Sequence, residues 1–295
     1  MTDETLALVQ PHAVSGRFNL KAIVIVMLSF AVFSGTDVIV KLLSARVPVA
    51  EVTCLVTAFA LGFSLLQGVF GGNARDLLPR FPRLALIRAV LLSVDTLMIN
   101  YAFSRLPLSD AYLLAFLTPI LVAVLAALLL GERLSVLAWT GVVLGFCGVA
   151  LALRPGVQPL NLGHAAAIGA AVCFSLSLIL LRKAKTTESD SALMVTLMVM
   201  LVLMSLVVTL MNGGFVPLAL PDLGLAALGG LMAFLGHFGL VRAFRMGDAS
   251  VIAPFQYTQI IWGCVYGALI FGSPVETMTL VGAAVIIFSG WLVLK

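Results

Sequence analysis

Polar residues in this chain fall in clusters, and between the clusters lie apolar runs of about twenty positions. The clusters are SARVP at 44–48, GGNARDLLPRFPR at 71–83, SRLPLSD at 104–110, GER at 131–133, RPGVQP at 154–159, RKAKTTESD at 182–190, NGGF at 212–215, RMGD at 245–248 and GSPVE at 272–276. They divide the sequence into ten runs, at 20–43, 50–70, 84–104, 109–130, 134–153, 162–182, 191–211, 222–244, 249–271 and 276–294. A helix of about 20 residues spans the ~30 Å of a bilayer's hydrocarbon, so the pattern predicts ten membrane-crossing α-helices. No break is long enough to hold a soluble domain.

Composition agrees with that reading. The chain has 295 residues, of which 62% are hydrophobic and 10% charged, with a mean hydropathy of +1.17. Soluble domains carry roughly 25% charged residues. Residues 1–19 form a short polar lead, and the first apolar run is longer than a signal-peptide core, so the lead is expected to be retained and cytoplasmic. The formal charge of +4 is spread over short loops, which gives no footprint for nucleic acid. Cys54, Cys147, Cys173 and Cys264 all sit in apolar runs without paired spacing and read as packing residues. No cofactor or metal is expected.

Loop charge predicts the orientation. With the amino terminus inside, twelve Lys and Arg fall on the inner side, while only Lys41, Arg46, Arg105 and Arg154 fall outside; Arg88 reaches the inner interface. The excess of basic residues in cytoplasmic loops places both termini in the cytoplasm.

The chain also resembles itself at an offset of 141 residues. Phe33-Ser34 falls on Phe174-Ser175, Ala102-Phe103 on Ala243-Phe244, Ser109 on Ser250, Gly131 on Gly272 and Gly141 on Gly282. A unit of five spans is odd, so the second copy enters the membrane upside down relative to the first. Inverted repeats of this kind build alternating-access carriers with a site near the midplane.

The stretches AFSRLPLSDAYLLAFLTPILVAVLAALLLGERL (102–134) and RAFRMGDASVIAPFQYTQIIWGCVYGALIFG (242–272) resemble the two EamA repeats of the drug/metabolite transporter (DMT) superfamily. Pro119, thirteen residues before Glu132 of a Gly-Glu-Arg, carries much of the likeness; in the second copy Ser273 stands where that glutamate would recur, with Glu276 nearby. The resemblance extends to the YddG-type aromatic amino-acid exporters of bacteria. It implies an all-α membrane protein of two inverted five-helix repeats, at 20–154 and 155–295, around a central cavity in a bacterial inner membrane. It also implies export of amino acids, aromatic and other neutral ones first. The alternative cargo is another small metabolite or a lipophilic cation exchanged for protons.

Polar groups inside the runs are the candidate site, because an ionisable group in hydrocarbon costs about 2.5–3.5 kcal/mol unless it faces a cavity or a partner. Asp37 and Lys41 are one helical turn apart, which reads either as a self-neutralising pair or as a gate. Asp95 sits near the middle of its run, followed by Asn100 and Tyr101, and can line the cavity or bond a neighbouring helix. Gln256, Tyr257, Gln259 and Trp262 form a stripe of amide, phenol and indole groups suited to a zwitterionic or aromatic cargo. Tyr112, Phe116, Ser34 and Ser175 are further lining candidates, with packing as the other reading. His237 joins Asp37 and Asp95 as a candidate for proton coupling, and a purely structural role is the alternative. Pro119, in mid-run, predicts a kink or hinge. Gly141 with Gly145, and Gly263 with Gly267, suit close helix packing, leaving monomer and homodimer both open.

Several classes have no support. No P-loop accompanies the runs, so an ATP-driven mechanism within the chain is disfavoured, and no hydrolase motif stands in a suitable context, so the chain is not read as an enzyme. No Lys or Arg lies near the midplane, which disfavours sugar phosphates and nucleotide-linked cargo.

Overall fold

In the computed structural model the described residues are 16–70, 77–130, 135–153, 159–184, 190–246, 255, 258–273 and 276–293, and their regular structure is helical. A bilayer offers no water to backbone N–H and C=O groups, so a spanning segment pairs them internally, and the helix does so within one segment. The helices are α1 (Gly16–Leu43), α2 (Val49–Phe70), α3 (Pro82–Arg105), α4 (Leu108–Ala115), α5 (Thr118–Leu130) and α6 (Val136–Leu153). They continue with α7 (Leu162–Ala184), α8 (Asp190–Met211), α9 (Leu220–Met246), α10 (Thr258–Phe271) and α11 (Thr277–Val293). Among the described residues seven spans are long and apolar enough to cross a membrane, α4 and α5 together making one of them, and three shorter apolar helices accompany them. Each lies within one of the ten runs to within about two residues.

The run at 109–130 is interrupted. Helix α4 stops at Ala115 and α5 starts at Thr118, with Pro119 its second residue. Proline has no N–H to offer the carbonyl four residues back. The Thr118 hydroxyl donates to that carbonyl, Ala115 O, at 2.7 Å, and Ser175 of α7 lies 3.3 Å from Thr118 O. The freed Ala115 carbonyl is thus re-satisfied by a hydroxyl in an apolar setting.

Packing between helices follows the 141-residue offset. Exchanging the halves turns α1 into α7, α2 into α8, α3 into α9, the α4–α5 pair into α10, and α6 into α11. The contacts of α1 with α9 then become those of α7 with α3, and those of α2 with α9 become those of α8 with α3. The contact of α5 with α7 becomes that of α10 with α1, while α2 with α8 and α6 with α11 map onto themselves. Small residues make these approaches close, as membrane helices require. Ala60, Ala102, Ala111, Ala167, Ala226 and Ala243 are buried, and Gly230 sits directly against the backbone of α2. Large apolar side chains such as Leu128, Val136, Leu203 and Leu269 cover the outside, where lipid meets them.

Candidate functional site

Helices α1 to α5 and α7 to α10 enclose a cavity of about 430 Å³. Its position follows from local sequence. On α3 the residues Asp95, Thr96, Ile99, Asn100 and Phe103 share one face, and on α2 Thr53, Val56, Thr57 and Ala60 do the same. Both stripes turn inward. Phe30 and Phe33 of α1, Phe103 and Phe174 supply aromatic walls, and His237 of α9 and Gln259 of α10 contribute from the second half.

Of the candidate residues, the cavity gathers Asp37, Asp95, Tyr112, His237 and Gln259. Asp95 has no hydrogen-bond or ion-pair partner among the described residues, and Cys173 is within its electrostatic reach. Asp37 accepts a hydrogen bond from the Tyr112 hydroxyl. The His237 Nδ1 lies 3.0 Å from Ala233 O, and its ring meets Phe33 edge-on at 4.7 Å between centroids. A carbonyl only accepts, so Nδ1 carries a proton, and Nε2 is an acceptor when the ring is neutral and a donor when it is charged.

Other candidates stand behind the wall. Ser34 is fully buried beside Tyr112, and Phe116 is buried in the main apolar cluster. The Ser175 hydroxyl donates to Ala171 O at 2.6 Å on its own helix. Trp262 stacks on Tyr266, 6.1 Å between ring centroids, and packs against Phe30 and its neighbours. Gln256 and Tyr257 lie outside the described residues.

Lys41 does not pair with Asp37. Its ammonium donates to Phe103 O at 2.7 Å and Leu106 O at 2.5 Å, the free carbonyls at the end of α3, and stands over the Phe271 ring. Helix C-termini attract cations because their last carbonyls are unpaired and the helix dipole is negative there. The nearby carboxylate of Asp110 also acts on Lys41.

Sequence reasoning missed the threonines. Thr36, Thr53, Thr57, Thr96 and Thr118 all line the cavity. A threonine in an apolar helix reads as packing, yet the spacing of 53 with 57 on α2, and of 96 with 100 on α3, was a legible polar stripe. Asn100 of that stripe donates to Thr53 at 2.9 Å, tying α3 to α2 at the cavity wall.

Bonds between distant parts of the chain tie α1 and α2 to α9 and the segment before it. Arg46 meets Asp222 at 3.5 Å, Glu51 accepts from Val216 N at 3.1 Å, and Thr36 donates to Gly229 O at 3.3 Å. The first two lie where α1 ends, α2 begins and α9 begins, and the third lies deeper, at the cavity wall.

Comparison with known proteins gives the same arrangement a lineage. The S-adenosylmethionine uptake transporter of Rickettsia felis is 27% identical over 265 residues, covering 88% of each chain. The pseudopaline exporter of Pseudomonas aeruginosa (strain PAO1) is 23% identical over 268 residues, covering 90% of this chain and 93% of the exporter. A crystal structure of another protein, 16% identical, shares the fold with a TM-score of 0.66, covering 92% of this chain and 96% of the other. The profile of the EamA-like transporter family matches residues 20–154 and again 161–295, two segments whose starts and ends are 141 residues apart. A chain whose described residues are helical, built as two such copies around a cavity and matched by that profile over most of its length, belongs to the EamA-like transporter family of the drug/metabolite transporter superfamily.

Proposed function

We propose that this transporter moves amino acids or amino-acid-derived metabolites across a bacterial inner membrane by alternating access, with both termini in the cytoplasm. The observation that carries the reading is the cavity of about 430 Å³. It falls within the roughly 300–1,000 Å³ of small-molecule sites and combines aromatic walls with a few polar groups. Two bonds at one end cross between the two copies, Arg46 with Asp222 and Glu51 with Val216, and this supports a rocking mechanism. By the loop-charge orientation that end is the outer one. Rocking would break these bonds and open that face.

The relatives favour the same cargo class, since S-adenosylmethionine is itself an amino acid joined to an aromatic base. Export of neutral and aromatic amino acids is the reading we carry for direction and cargo. Flux of labelled Phe, Trp, Met, Lys and S-adenosylmethionine into proteoliposomes of the purified chain, with and without a pH gradient, tests it. Saturable flux of at least one member is expected. Flux no greater than in empty liposomes for the whole panel would end the proposal.

A further inference from the structure

Resting on that transport reading, we infer that the recognised end of the cargo is an organic cation, a primary ammonium or a sulfonium, held at Asp95 against an aromatic wall. The inference comes from a count of donors and acceptors around the cavity. Asp37 and Asp95 both line it, and among the described lining residues there is no Lys or Arg.

The neutral groups point the same way. The hydroxyl protons of Thr36, Thr96 and Thr118 are donated to Gly229 O, Leu92 O and Ala115 O, at 3.3, 2.8 and 2.7 Å. What these side chains present to the cavity is therefore oxygen lone pairs. The Thr53 proton goes likewise to Val49 O at 2.8 Å. His237, with Nδ1 on a carbonyl, adds Nε2 as a further acceptor in its neutral form. Donors are scarce: one amide hydrogen of Asn100 is taken by Thr53, which leaves its second hydrogen, the Thr57 hydroxyl and the Gln259 amide.

Within this ring Asp95 is distinct. The Asp37 carboxylate is engaged by Tyr112, whereas Asp95 has no partner among the described residues. An unpaired carboxylate away from water is costly, and a cation brought by the cargo removes the cost while gaining a charge-assisted bond. Phe30, Phe33 and Phe174 add ring faces that favour a cation and an unsaturated body. A free carboxylate on the cargo would find two amide groups, one hydroxyl and, among the described lining residues, no Lys or Arg.

A charge series on one body tests this: phenethylamine, phenylalanine and 3-phenylpropionate, measured for binding by equilibrium dialysis and for flux in proteoliposomes, with the full chain and its Asp95→Asn and Asp95→Glu variants. The amine should bind tightest and the acid weakest. Asp95→Asn should cost the amine about ten- to hundredfold in affinity, the range of a lost bond to a charged group, and Asp95→Glu should retain part of it. Equal or tighter binding of the acid or the zwitterion, unchanged amine affinity in Asp95→Asn, or no binding of any probe would overturn the inference. Amino-acid flux without a charge preference would leave the transport reading standing while sinking this one. Amine binding that needs Asp95 but yields no flux for any substrate would do the reverse.

Discussion

The hydroxyl of Tyr112 on α4 donates to the carboxylate of Asp37 on α1, two residues 75 positions apart in sequence that meet at the cavity wall. The bond occupies the one carboxylate that the sequence would pair with Lys41. It also fixes the phenol ring, whose edge lies against Gly263 of α10 so closely that an added Cβ there would come within 2.6 Å of it. Three helices from both halves thereby converge on one side chain.

Removing both partners should therefore cost less than the sum of removing each. Tyr112→Phe leaves the Asp37 carboxylate without its donor, a loss of about 1–3 kcal/mol for a buried group. The Tyr112→Phe and Asp37→Asn double variant should be less destabilised than the sum of the single changes, with a coupling of at least ~1 kcal/mol. Thermal melts of the four proteins in detergent check this, and additive losses would mean the bond is not made in solution.

Lys41 serves the end of α3 rather than its own helix. Lys41→Met should lower stability by about 1–3 kcal/mol by leaving the Phe103 and Leu106 carbonyls unpaired. Lys41→Arg should retain much of it, and Asp37→Asn should not mimic the loss. Melting curves of the three variants separate an α3 cap from a local Asp37–Lys41 pair.

Glycine spacing makes a prediction on packing. A Cβ at Gly230 would lie 2.5 Å from Phe59 Cβ, 2.7 Å from Val56 O and 2.9 Å from Ala60 N, so backbone would have to move. Gly230→Ala should sharply reduce folded yield. Gly62→Ala, where nothing lies within 4 Å, should be neutral or mildly stabilising, since Ala is the better helix former. Size-exclusion profiles after expression give the comparison, and equal yields would contradict the close approach of α9 to α2.

Within the polar stripe of α10, Gln259 lines the cavity and Trp262 packs against α1. Gln259→Ala should raise the KM for transported substrate several-fold while leaving the melting temperature nearly unchanged. Trp262→Ala should do the opposite, because a large aromatic removed from a packed cluster costs about 3–5 kcal/mol. A matching KM defect in both would restore Trp262 to the binding surface.

Span positions were legible because length and apolarity alone decide whether a segment crosses a membrane, and the runs at 20–43 and 191–211 coincide with spans of the structure. The offset of 141 residues was legible too, since the copies preserve register. Partner choice was not. Lys41 and Asp37 share a helical face, and nothing local says that carbonyls 62 and 65 residues away would outbid the carboxylate one turn off. The site was half legible: charged and amide groups announce themselves in an apolar run, so Asp95 and Gln259 were found. The threonines of α2 and α3 were overlooked because their polarity shows only once the stripe is seen facing a void.

The account's central claim is that substrate passes through this cavity, and filling it is the most direct test. Thr57 lines the void, whereas Leu128 points to the lipid face. Saturable flux of the best substrate should be lost when Thr57→Trp is reconstituted and should persist in Leu128→Trp, with both proteins folded by size-exclusion profile. Undiminished flux through folded Thr57→Trp would contradict the account.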